Sequence, residues 1–279
     1  MKKLLTAFTS LLLCITCAAT ITGCSTNENK LAMGKECMTY DSQLDALKNL
    51  NEKTVDAAVI DSVMAGYYVN NGSFVGKLAI KDFDLVTEQY GIAAKKGNNA
   101  LVSKINDALI ALADTDYAAT AEKYGLASEK LITAQTANDK ANATDDSWQK
   151  VADRKKVVIG YTLFAPIAYD DNGLTGFDID LAKAVFKYLD KNIECEFQLI
   201  KWEQKEAALE NGTIDLVWNG LTITDERLAQ MSISLPYLRN KQVVVVRKDD
   251  ENKYSDKKSL DNAIIGVEKG SAGESAVQG

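Results

Sequence analysis

The run Trp218-Asn-Gly-Leu-Thr-Ile-Thr-Asp-Glu-Arg227 gathers the groups that a carboxylate receptor needs. An apolar strand ends at the polar tip Asn219-Gly220, Thr222 and Thr224 carry hydroxyls, and a helix opens at Thr224-Asp225-Glu226 with Arg227 in its first turn. Backbone N–H groups at a helix start and a planar guanidinium fork both complement a planar anion. Alone, an arginine such as Arg227 is most often a solvated surface residue; the glycine and threonines upstream favour the ligand reading. Asp61 is the second charged candidate, at the tip of the apolar run Ala57-Ala-Val-Ile60. It either caps the helix that follows or offers a carboxylate to an ammonium. Arg227 and Asp61 on opposite walls of one cleft match the two charges of an α-amino acid. A half-buried carboxylate without a cation is costly, so such a site should close only around the right zwitterion. The third candidate is Gly266-Val-Glu-Lys-Gly-Ser-Ala-Gly273, a strand and a small-residue turn whose Ser271 hydroxyl and Ala272 amide can also meet the carboxylate. Phe164 and Trp202 either cover the ligand or pack in the core.

Holding these groups in place requires strands that end at the cleft. Val157–Tyr161, Glu194–Ile200, Ile214–Trp218, Val243–Val246 and Ile264–Val267 read as strands. Phe177, Leu181, Val185 and Leu189 fall four apart on one helical face, and Gln204–Asn211 is a second helix. Leu44, Leu47 and Leu50 mark a helix before the buried strand Val55–Ile60, and Leu101, Ile105, Leu109 and Leu112 mark a later one. Thr54-Val-Asp and Thr213-Ile-Asp each open an apolar strand with a polar tip, at Asp61 and Asn219. Strands alternating with helices predict an α/β fold with a mostly parallel sheet, and such sheets bind ligands beyond their carboxyl ends.

The whole chain limits the chemistry. It has 279 residues, 46% apolar and 25% charged, with no histidine and a formal charge of −7. That balance suits one large or two modest globular domains. Zero histidine excludes Ser–His–Asp and Cys–His units and imidazole metal sites, and the acidic balance argues against nucleic acid. No cofactor or metal is expected.

Residues 1–23 read as an export signal: Lys2 and Lys3, an apolar run from Leu4 to Ile21, then Thr22-Gly23 before Cys24. Ile21-Thr22-Gly23-Cys24 resembles the bacterial lipobox, which implies lipidation of Cys24 and a tether over 24–34 on the outer face of a membrane. Of five cysteines, Cys14 and Cys17 leave with the signal and Cys24 carries lipid, so Cys37 and Cys195 remain, expected as two buried thiols. The stretch 134–147 has no apolar residue larger than alanine and reads as a linker between blocks 35–133 and 148–279.

At these residues the chain resembles the polar amino acid-binding proteins of ABC transporters, solute-binding protein family 3. Gly176-Phe-Asp-Ile-Asp-Leu-Ala-Lys-Ala-Val185 is similar to the family signature, with Phe186 standing where the family prefers a small residue. Asn219–Arg227 resembles its carboxylate-binding motif, and Ala57–Asp61 the strand bearing an ammonium-binding aspartate. The resemblance implies a type II periplasmic-binding-protein-like fold, with two α/β lobes joined by two crossing strands. It implies that Phe164 stacks on the ligand, Gly220 and Thr222 contact it, Arg227 grips the carboxylate, and Ser271 and Ala272 lie across the cleft. The expected partners are a free amino acid and a membrane permease, served by a monomer.

In that family the segment like 148–279 comes first. Here the order is swapped, which predicts a circular permutant with its old ends joined through 134–147. Lobe 1 would combine 148–240 with 87–133, and lobe 2 would combine 241–279 with 35–86, the crossings lying near Asn240–Val244 and Leu85–Gly91. The rival is a fusion of unrelated halves. Tyr161 and Thr162 stand where an acidic residue would favour a basic ligand, so a polar uncharged amino acid is expected. Two other functions stay open: a ligand sensor without transport, and a cyclohexadienyl-dehydratase-like enzyme with Glu268 or Lys269 as proton donor.

Overall fold

An apolar run without alternation is satisfied only by burial on both faces. Strand Ala57–Asp61 meets that condition, with Ala57, Ala58, Val59 and Ile60 at most 1% exposed. The computed structural model describes residues 31–279; the signal segment, Cys24 and the first tether residues lie outside them. In chain order the strands are β1 (Glu36–Tyr40), β2 (Ala57–Asp61), β3 (Leu78–Lys95), β4 (Lys156–Tyr161), β5 (Tyr169–Asp170), β6 (Leu174–Thr175), β7 (Glu194–Leu199), β8 (Leu216–Thr222), β9 (Met231–Ile233), β10 (Leu238–Arg247) and β11 (Ile264–Glu268). The α-helices are α1 (Gln43–Asn51), α2 (Ser62–Ala65), α3 (Asn99–Ala111), α4 (Asp116–Lys123), α5 (Ser147–Arg154), α6 (Phe177–Leu189), α7 (Lys205–Glu210), α8 (Asp225–Gln230) and α9 (Ala272–Gln278).

Nine of the strands form one sheet in the order β1-β11-β2-β10-β3-β8-β4-β7, with β9 also paired to β3. Parallel ladders join β1, β11 and β2 on one side and β8, β4 and β7 on the other. Between them β10 and β3 run antiparallel to their neighbours. The sheet is therefore mixed, which corrects the expectation of a mostly parallel one. The reason is β3 and β10, long strands that return through the middle instead of crossing over by a helix. None of β1, β2 and β3 pairs with another; all their ladders are made with β8–β11.

One apolar core runs along one face of the sheet, taking Ala58 and Ile60 of β2 together with Trp218 of β8 and Phe177 of α6. The other face carries two separate cores, one around Val59, Val244 and Val277, the other around Trp202, Val217 and Ile233.

Strand β8 departs from expectation. It does not stop at Asn219-Gly220 but continues to Thr222, because Tyr90 and Gly91 of β3 pair with Thr222 and Leu221. Gly220 turns within the strand at φ +64, and a Cβ there would lie 2.7 Å from the Phe164 ring. The 134–147 segment has no regular structure before α5, as its composition predicts, yet it is pinned to α3. Asn138 Nδ2 donates to Ser103 O and to Asp107, and Asp145 accepts from Ala100 N at 2.8 Å. At the other end of the described chain, Ala32 N donates to Val277 O at 2.9 Å and Lys35 N to Ala263 O.

Cys37 on β1 and Cys195 on β7 sit on the two outer strands of the sheet order and are free thiols. Both are half-buried rather than buried, a correction that follows from those outer positions. Burial still pushes them up, to about 11 and about 12. No described helix is long and apolar enough to cross a membrane.

Candidate functional site

The carboxyl ends of β2 and β11 on one side, and of β4 and β8 on the other, meet around a small, tightly filled cavity. Its lining contains Asp61, Phe164, Trp202, Asn219, Gly220, Thr222, Arg227, Ser271 and Ala272, together with Gln43, Thr162 and Glu268. Residues far apart in sequence converge because strand ends supply most of the wall.

Asp61 does not cap α2; its carboxylate makes no bond to that helix start. It turns instead into a shell of neutral donors. Oδ1 accepts from Tyr90 OH at 2.8 Å, from Gln242 Nε2 at 3.0 Å and from Asn240, while Oδ2 accepts from Gln43 Nε2. Gln43 Oε1 in turn accepts from Asp61 N at 2.9 Å. Burial raises the Asp61 pKa, while these donors pull it back. Directly behind, Glu88 of β3 accepts from Asn240, Gln242 and Thr222. Burial, and then the charge of Asp61, raises Glu88 to about 7.

On the facing wall, Thr224 caps α8 by accepting from Arg227 N at 3.2 Å, so that amide is already taken. The Arg227 guanidinium donates to Thr222 O at 2.8 Å and across the cleft to Gly270 O at 3.2 Å. It lies 5.9 Å from the Trp202 ring centroid, with Lys205 at 4.8 Å over the same ring. Arg227 is 9% exposed, and burial lowers its pKa, against nearby carboxylates that raise it. Trp202 and Phe164 thus line the cavity and pack at the same time: Phe164 meets Tyr90 edge-on at 6.4 Å. Asn219 pairs with Thr162 Oγ1 at 2.7 Å, and Ser271 caps α9 by accepting from Glu274 N at 3.1 Å.

The Gly220 turn has its own support. Asp178, fully buried at the start of α6, accepts from Gly220 N at 2.9 Å and from Tyr237 OH at 2.8 Å. Burial raises Asp178 to about 7, since no cation offsets the lost water.

Thr162, expected where a charged residue would bear on the ligand, lines the cavity, and so does Gln43, which no sequence pattern marks. Gln43 follows β1, a short edge strand whose residues carry no apolar alternation, so nothing marked a strand end there. Glu268 was named only as a proton donor; it lines the cavity, whereas Lys269 pairs with Glu203 outside it. Among the described residues, Asp61, Glu88, Glu268 and Arg227 form no ion pair with another side chain. No described cluster has the ligands for a metal ion.

Residues 157–273 match the model of the bacterial extracellular solute-binding proteins, family 3. Among curated proteins, a probable histidine-binding protein of Neisseria gonorrhoeae is 39% identical over 41% of this chain and 42% of its own length. The ABC transporter arginine-binding protein 1 of Escherichia coli is 35% identical over 39% of this chain and 42% of its own. An L-cystine-binding protein of Escherichia coli is 30% identical over 46% and 48%. The match spans a little under half the length of these relatives, all named as binding proteins. Among solved structures, a histidine-bound ABC uptake transporter substrate binding protein of Streptococcus pneumoniae is 43% identical, covering 30% of this chain and 35% of that one, with a TM-score of 0.29.

Proposed function

We propose, from the premise that residues 157–273 carry the family-3 solute-binding pattern, that this chain binds a polar α-amino acid in the cavity and delivers it to an ABC transporter permease. One observation carries the reading: Arg227 and Asp61, neither in an ion pair among the described residues, line one cavity from opposite sides of the sheet. In this reading the Arg227 fork takes the carboxylate, aided by Thr222, Ser271 and the Ala272 amide. Asp61 takes the ammonium, while Phe164 and Trp202 cover the side chain and Asn219 and Gly220 shape the floor. Closure of two lobes around the ligand adds contacts that exist only in the closed form. Cys24, lipidated, would hold the protein outside the cell membrane.

The swapped order belongs to the same proposal, with lobes 148–240 plus 87–133 and 241–279 plus 35–86. Two facts support it over a fusion of unrelated halves. The first three strands pair only with β8–β11, and Ala32 hydrogen-bonds Val277, so the start and end of the described chain lie together. Titration calorimetry with the twenty amino acids tests the binding: at least one should bind, and Arg227→Ala should abolish it without loss of fold. If none binds, or the variant binds normally, the reading is wrong. Restoring the usual order with 134–147 deleted should preserve the fold; two independent unfolding transitions in the native order would count against one interwoven lobe pair.

A further inference from the structure

The cavity holds more carboxyl groups than a zwitterion can use. Arg227 answers a ligand carboxylate and Asp61 an ammonium, which leaves Glu268 over. Glu268 ends β11 and Asp61 ends β2, neighbouring parallel strands in which Gly266 stands opposite Ala58. Both carboxyls are only 5% exposed and both line the cavity. Their surroundings differ: Asp61 is filled by four neutral donors, whereas Glu268 makes no ion pair among the described residues and has the Gln43 amide for a neighbour. The nearby cations are already engaged. Lys205 pairs with Glu206 at 3.0 Å and donates to Gly270 O, and Lys269 pairs with Glu203.

We propose that Glu268 sets specificity, receiving a second positive charge, so that the ligand class is amino acids with a cationic side chain. A buried carboxylate left without a counter-ion is strongly unfavourable, and a ligand cation supplies what the fold omits. This rests on the amino acid reading above and departs from the uncharged side chain expected from Tyr161 and Thr162: the acidic group sits on β11, not after β4. Four charged or polar groups face Glu268: Asp61 from β2, Asp45 and Gln43 from α1, and Lys205 from α7. Burial, then Asp61, raises its carboxyl to about 8, so at pH 7 it is mostly protonated before binding and a cation expels the proton.

The test is titration calorimetry on the full chain with arginine, lysine, glutamine and citrulline, the last a neutral near-isostere of arginine. Arginine or lysine should bind at least about tenfold more tightly than citrulline, the scale of one charge-assisted hydrogen bond in a dry site. Glu268→Gln should erase that preference, because the ionic contact is removed. Repeating the arginine titration in buffers of different ionisation enthalpy at pH 7 should show release of about one proton, absent in Glu268→Gln. Tighter binding of citrulline or glutamine, or an equal loss for all ligands in Glu268→Gln, would overturn the assignment and leave the amino acid reading standing. Binding of no amino acid would overturn both.

Discussion

A carboxyl that keeps its proton in the folded state leaves a signature in stability as well as in binding. Glu268 is raised from an ordinary 4.5 to about 8, chiefly by loss of water and then by the charge of Asp61. Below pH 4.5 it is protonated whether folded or unfolded, and pH has no leverage through it. Between pH 4.5 and about 8 the unfolded chain ionises while the native state holds its proton, so stability falls as pH rises across that window. At about 1.4 kcal/mol per pH decade, the full window amounts to on the order of 5 kcal/mol, an upper figure for a site that relaxes. Glu268→Gln removes the group that titrates. In urea unfolding followed by circular dichroism without ligand, variant and wild type should agree within about 1 kcal/mol at pH 4.5. At pH 8.5 the variant should be the more stable by several kcal/mol. Glu88 and Asp178, each raised to about 7, stay in the variant, so its own curve still declines toward neutral pH, but less. Parallel curves, or a variant weaker than wild type at pH 8.5, would refute the claim that Glu268 is a desolvated carboxyl without a counter-ion.

Three further outcomes follow from the packing around the cleft. Asp178→Ala leaves Gly220 N and Tyr237 OH without their acceptor and should lower unfolding free energy by about 2–5 kcal/mol, read by denaturant titration. Gly220→Ala places a Cβ against Phe164 at φ +64; thermal unfolding should show a loss of about 1–3 kcal/mol, and amino acid binding should weaken with it. Cys37 and Cys195, on opposite outer strands with raised pKa values, should both alkylate slowly at pH 8 and fast once unfolded. A mass two hydrogens lighter by intact mass spectrometry would contradict them as free thiols.

Much of the site was legible because its residues stand at the ends of strongly patterned strands. The apolar run before Asp61 and the Thr224 cap before Arg227 both formed as their residue types require. What escaped was set by partners distant in sequence. Leu78–Lys95 carries Asp82, Asp84 and Glu88 within a strand, a composition that no local propensity marks as β; only the family resemblance, with a crossing near Leu85–Gly91, pointed to part of it, and β10 and β8 on either side hold it extended. Glu88 was therefore invisible as the layer behind Asp61. Gly220 was read as a strand end, since glycine usually breaks a ladder, whereas the pairing of β3 with Leu221 and Thr222 carries β8 past it. Gln43 became a lining residue only through the placement of α1 after an unpatterned edge strand.

The pairing pattern also bears on how the chain reaches this structure. Glu36 of β1 stands opposite Ile264, and Ala57 of β2 opposite both Ile265 and Val246. During synthesis the first three described strands emerge with no strand partner among themselves, and among the described residues β1 finds its ladder in β11. The β1–β11 edge of the sheet closes only once β11 is made, whereas β2 and β3 find ladders earlier, with β10 and with β8, β9 and β10. Such long-range closure slows folding and lengthens exposure to aggregation.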